Sequence, residues 1–124
     1  MGGPAKILIV DDDESIRKVL ATILEKEGYT VDTAETGKEA IGKTESNSYN
    51  LALIDVRLPD MDGTKLLAKL QETTPKTVKI MVTGYPSMRS AIEAVNRGAQ
   101  GYILKPIKIE NLLNIIRKHL TSKI

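Results

Sequence analysis

Five short apolar runs punctuate the chain: "KILIV" (6–10), "YTVDTA" (29–34), "LALI" (51–54), "VKIMVT" (78–83) and "GYILK" (101–105). Four are almost continuously apolar, the pattern of strands covered on both faces. The second alternates, which places it at a sheet edge. Between the runs, apolar residues recur at helical spacing. Ile16, Val19, Leu20, Ile23 and Leu24 fall on one stripe, and Gly28 stands where that helix should stop. Leu66, Leu67 and Leu70 mark another helix, with Asp62 near its start as a cap. Met88, Ala91, Ile92 and Val95 predict a helix over 88–97, closed by Gly98. Ile109, Leu112, Leu113, Ile116 and Leu120 form the last amphipathic face. The faintest pattern lies at 37–45, where Thr36 and Glu39 have capping-box spacing.

Strands and helices alternating with short connections predict an α/β fold of (βα)5 type: a doubly wound, five-stranded parallel sheet with helices on both faces. The chain has 124 residues, enough for one domain with a single core. With four Tyr, no Phe and no Trp, that core must be built from Ile, Leu, Val and Ala. No apolar stretch approaches the roughly 20 residues needed to span a bilayer, and no signal-peptide core is visible. Cysteine is absent, which excludes disulfides and thiolate chemistry and suits a cytoplasmic location. Net charge is only +2 and the basic residues are scattered, so neither a nucleic-acid footprint nor a membrane surface is indicated. Residues 5–121 are read as the domain, 1–4 as a tag or disordered start, and 122–124 as a tail or severed linker.

Against that even charge, "DDD" at 11–13 is a local concentration. In open α/β sheets ligands bind beyond the carboxyl ends of strands, where strand order reverses. Strand one ends in Asp11, Asp12 and Asp13, strand three in Asp55, strand four in Thr83 and strand five in Lys105. In the order 2-1-3-4-5, Asp11, Asp12 and Asp55 would share one crevice flanked by Thr83 and Lys105. Two carboxylates about 4 Å apart repel by roughly 4 kcal/mol at an effective dielectric of 20. Such a site calls for a cation, and hard oxygen ligands with room for water suit Mg²⁺. Mg²⁺ with a lysine and a hydroxyl makes a pocket for a phosphoryl group, and a carboxylate can attack phosphorus. Taken singly, each residue reads as a turn or a helix start, and Asp13 and Glu14 are left in that role. Four strand ends carrying these residue types together are harder to explain that way.

The runs "ILIVDDD", "LALIDVRLPDMDG", "IMVTG" and "GYILKP" stand in the order and spacing of one family, and the chain resembles the receiver domains of two-component response regulators over about residues 5–121. The resemblance implies a CheY-like, flavodoxin-like fold and a phosphoacceptor signalling role rather than an enzyme acting on a separate substrate. It implies that Asp55 takes a phosphoryl group from a histidine of a sensor kinase or phosphotransfer protein. Asp11, Asp12, Asp55 and the main-chain carbonyl of Arg57 would hold Mg²⁺. Lys105 would contact the phosphoryl oxygens, Thr83 would move to hydrogen-bond them, and Tyr102 would be the switch aromatic. Pro106 would follow a cis bond. Arg57 and Tyr85 occupy the variable positions that influence phosphoryl lifetime, and Gly84 leaves room for a phosphodonor. The face made by the helix 88–97, the fifth strand and the last helix would signal to an effector domain or downstream protein, or form a phosphorylation-dependent dimer.

Other readings fit less well. "DMDGT" (60–64) matches the nucleophile loop of haloacid-dehalogenase-type phosphatases, but Asp60 lies five residues past the strand end that Asp55 occupies. A flavodoxin-like electron carrier needs a phosphate loop where this chain has aspartates. "DMDG" lacks the flanking ligands of an EF-hand. A binding module that uses the fold without phosphorylation is the remaining alternative.

Overall fold

A computed structural model describes residues 3–84, 93, 94 and 96–121. The sheet holds β1 (Lys6–Val10), β2 (Thr30–Ala34), β3 (Leu51–Asp55), β4 (Val78–Thr83) and β5 (Gly101–Leu104). All four pairings are parallel, in the order β2-β1-β3-β4-β5. The helices among the described residues are α1 (Glu14–Lys26), α2 (Gly37–Ser46), α3 (Gly63–Thr73) and α4 (Ile109–Thr121). The helix predicted over 88–97 lies outside the described residues except at Glu93, Ala94, Asn96 and Arg97, and Tyr85 lies outside them altogether.

Successive strand residues point to opposite faces, and each face has its own aliphatic core. Ile7, Ile9, Leu53 and Ile80 meet Leu20 and Leu24 of α1 and Leu112 and Ile116 of α4. On the other face Leu8, Val10, Ile54 and Met81 meet Ala40 of α2 and Leu66, Leu67 and Leu70 of α3. This two-sided burial is why β1, β3 and β4 are almost continuously apolar, while β2, at an edge of the sheet with only Ala34 buried, keeps its alternation.

The helix boundaries follow local chemistry. Asp13 caps α1, its Oδ1 accepting from the N–H groups of Ser15 (2.9 Å) and Ile16 (3.3 Å). Past the other end, Gly28 takes a φ of +97°, a conformation that suits glycine. At α2, Thr36 caps as expected, accepting from Glu39 N–H at 3.0 Å. The Glu39 carboxylate, however, returns to the N–H of Glu35 at 2.8 Å, one residue earlier than a capping box requires. The cap expected of Asp62 is corrected. Asp62 occupies the N-cap position of α3, yet its side chain makes no capping bond, and its backbone forms a bridge with Arg57. At the far end of the sheet Lys79 is wholly buried on β4, and its Nζ donates to the carbonyl of Thr74 at the C-cap of α3. Burial pulls that ammonium's pKa down to about 8.

Candidate functional site

Because the strands run parallel, their carboxyl ends lie at one edge, and the apolar runs fix where the polar residues just beyond them emerge. β1 stops at Val10, paired on its two sides with Ala34 and Ile54, and Asp11 to Asp13 form the turn into α1. β3, buried along its whole length, ends in Asp55. β5 ends at Leu104, one residue before the expected boundary, so Lys105 stands just past the strand. These ends enclose a cleft of about 470 Å³ lined by Asp11, Asp12, Asp55, Arg57, Gly84 and Lys105, among others.

Asp11 and Asp55 are buried and Asp12 is exposed, and one carboxylate oxygen from each lies within 4.8 Å of the others. The Lys105 ammonium bridges the two buried groups, donating to Asp11 Oδ2 at 3.1 Å and Asp55 Oδ2 at 3.2 Å. The other Asp55 oxygen accepts from the Arg57 N–H at 3.2 Å, and Asp11 Oδ1 accepts from the Asp13 N–H at 2.9 Å. Burial and the neighbouring Asp11 carboxylate raise the Asp55 pKa, against the pull of the Arg57 N–H and Lys105. For Lys105, burial works to lower the pKa, but the two carboxylates outweigh it and the net shift is upward. Three carboxylates and one ammonium leave about two formal negative charges in the cleft. The donor set is all oxygen with one exposed member, which fits a hard divalent cation that keeps part of its water shell.

Of the other predicted residues, Thr83 is buried at the end of β4, and its carbonyl accepts from the Lys105 N–H at 2.7 Å. Tyr102 is half-buried on β5, opposite Met81 and against the core on the α2–α3 face. The Lys105–Pro106 bond is cis. Asp60 stays out of the cleft. Its two oxygens accept from the N–H groups of Gly37 and Lys38, both at 2.9 Å, which is no arrangement for a phosphatase nucleophile. Sequence reasoning missed Arg17, whose Nη1 donates to the Asp11 carbonyl at 2.7 Å and steadies the acidic turn. Its place one helical turn past that loop was the available signal.

The sequence model of the family described as "Response regulator receiver domain" matches residues 7–117. The chain is a response regulator receiver domain. A receiver domain protein (CheY-like) from Methanospirillum hungatei JF-1 is 45% identical, with a TM-score of 0.94 over 97% of this chain and 96% of that one. The uncharacterized transcriptional regulatory protein YkoG of Bacillus subtilis (strain 168) is 39% identical over 90% of this receiver domain. A third relative, from Burkholderia pseudomallei, is 28% identical with a TM-score of 0.84, covering 96% of this chain and 74% of that one. It was solved with a phosphorylated aspartic acid, a calcium ion and citrate. The receiver domain spans 49% of YkoG and 25% to 27% of the next several curated regulators it matches. Phosphoacceptor signalling is therefore its role, and its fold is the CheY-like, flavodoxin-like sandwich. Among the described residues no helix is long and apolar enough to cross a membrane.

Proposed function

We propose that Asp55 is the phosphoacceptor of this receiver domain, that Asp11, Asp12, Asp55 and the Arg57 carbonyl hold Mg²⁺, and that the donor is a histidine kinase or phosphotransfer protein. The observation that carries this reading is the bridge itself: two buried carboxylates from different strands share one lysine, beside a third, exposed carboxylate. An Asp55 oxygen attacks phosphorus, the P–N bond to the donor imidazole breaks, and the electron pair leaves with the ring nitrogen. Lys105 then pairs with phosphoryl oxygens instead of with Asp55, a charge-assisted contact stronger than a neutral one. Mg²⁺, when bound, would neutralise charge on those oxygens. The bound calcium and phosphorylated aspartic acid of the Burkholderia relative support a divalent cation and an aspartyl phosphate on this fold.

The output follows from the same contacts. The Thr83 hydroxyl is drawn to the phosphoryl group, and Tyr102 turns into the space it leaves. The surface to which β5 and α4 contribute is thereby altered for an effector domain, a downstream protein or a second copy. Moving such an equilibrium from 1:99 to 99:1 takes about 5.5 kcal/mol. The domain spans 5–121 and works in the cytoplasm, catalysing only its own phosphorylation and dephosphorylation. Acetyl phosphate with Mg²⁺ should add one phosphoryl group by intact mass to the wild type and none to Asp55→Asn, and chelating the metal should abolish labelling. Equal labelling of both proteins would remove Asp55 from this role.

A further inference from the structure

β2 lies at an edge of the sheet, so one side of its backbone has no neighbouring strand. Thr30 and Ala34 face β1: the Thr30 N–H donates to the Ala5 carbonyl at 3.0 Å, and the Ala34 carbonyl accepts from the Asp11 N–H at 3.1 Å. By the two-residue period of a strand, Val31, Thr33 and Glu35 turn their N–H and C=O groups outward.

Two of those outward groups are taken, both by side chains of α2. The Lys43 Nζ donates to the Thr33 carbonyl, and the Glu39 carboxylate accepts from the Glu35 N–H at 2.8 Å. The two side chains are themselves paired, Lys43 Nζ to Glu39 Oε2 at 3.5 Å, one helical turn apart. Ion pairs of that spacing commonly lie in solvent, whereas this one lies along the strand edge and covers it. Below it, the Val31 N–H and C=O and the Thr33 N–H have no partner among the described residues. Around Asp32 the outward groups are self-complementary. Run antiparallel, Val31 of one copy and Thr33 of another exchange both hydrogen bonds, but only where the Thr33 carbonyl is free. Asp32 would then oppose its own copy. Each carboxylate is compensated within its chain, accepting from the Tyr49 hydroxyl at 2.7 Å and standing 3.6 Å from the Lys6 ammonium.

We propose that Lys43, tethered by Glu39, guards the open edge of the sheet, and that the partner it excludes is the β2 of a second copy of this chain. Charged side chains laid over an exposed strand are one means by which sheets avoid edge-to-edge pairing. Loss of the Lys43 ammonium uncaps the Thr33 carbonyl and completes the self-complementary set. β2 and β5 stand at opposite edges of the sheet. The association is therefore separate from any dimer through β5 and α4, and it needs neither a metal ion nor a phosphoryl group.

Sedimentation equilibrium of the full chain, metal-free and unphosphorylated, tests this with four proteins, each melted to verify its fold: wild type, Lys43→Arg, Lys43→Met and the double variant Lys43→Met/Thr33→Pro. Wild type and Lys43→Arg, which keeps a cationic donor, should be monomeric. Lys43→Met should associate with a constant at least about tenfold higher, the scale of one hydrogen bond to a charged group. The double variant should be monomeric again, because proline at 33 removes an outward N–H and leaves the ladder with β1 intact. Amide hydrogen exchange gives a second reading that needs no proline: in Lys43→Met the Val31 and Thr33 N–H groups should gain protection as concentration rises. A monomeric Lys43→Met would overturn the proposal, as would a wild type that associates as strongly as that variant. Association that survives Thr33→Pro, or that leaves those two amides unprotected, would put the contact elsewhere and overturn it as well.

Discussion

At the scale of single residues, the cleft is a place where burial works against charge. Asp55 is buried beside Asp11, and its pKa is raised first by that burial and then by its neighbour. The folded chain therefore holds the Asp55 proton more tightly than the unfolded chain, for which 3.8 is the ordinary value. The stability this lends is complete below that value and is lost as pH rises through the raised folded value. At pH 7 the ionised group is a net cost. Asp55→Asn should therefore melt higher than wild type at pH 7 in metal-free buffer, by about 4 °C for each kcal/mol regained. The gap should close as the pH is lowered towards 4. A pH-independent gap in thermal melts would point to packing as its source. The carboxylates at 11, 12 and 55 were legible because each follows an apolar run whose end is fixed by burial. Arg17 and Asp60 were not, because each acts on main-chain groups, which carry no residue-type signature.

Elements show where a periodic pattern is enough and where it is not. Every strand boundary read from the apolar runs agrees with the structure to within one residue, because two-sided burial leaves little freedom in register. The 37–45 helix, weak as a pattern, forms at Gly37–Ser46, and part of its support comes from a loop the pattern could not announce. Asp62 takes the N-cap position its spacing announced, but its side chain makes no capping bond, which spacing alone does not reveal. Gly63, the first residue of α3, shows how tightly the elements meet at the site. A Cβ there would overlap the carbonyl oxygen of Asp55 and press on the Val56 Cα. Since both atoms belong to backbone, neither can give way cheaply. Gly63→Ala should cost about 3 kcal/mol or more in denaturant unfolding, as overpacking does at rigid sites, and should displace the end of β3. A loss under about 0.5 kcal/mol, the range of ordinary surface substitutions, would contradict this contact.

For the molecule as a whole, one end of the sheet holds the acidic cleft and the opposite end holds the anchored Lys79. The first was legible from strand order, since reading the residue past each apolar run gathers the aspartates and the lysine in one crevice. The second was not, since Lys79 sits inside "VKIMVT" as a polar interruption whose partner, the Thr74 carbonyl, is again a main-chain group. That buried ammonium has a use outside signalling. With a pKa near 8, a larger share of it is the free, acylable amine at neutral pH than for an ordinary lysine, yet none of its surface is exposed. An amine-directed reagent can therefore reach Lys79 only when the α3–β4 corner opens, whereas it meets Lys76 in the intact fold, where that residue is exposed. The labelling rate of Lys79 relative to Lys76, read by peptide mass spectrometry, should rise with denaturant and reports the free energy of that local opening. Equal rates without denaturant would mean the corner is open in the native state. The chain thus carries its own clock for breathing at the end of the sheet farthest from the acidic cleft.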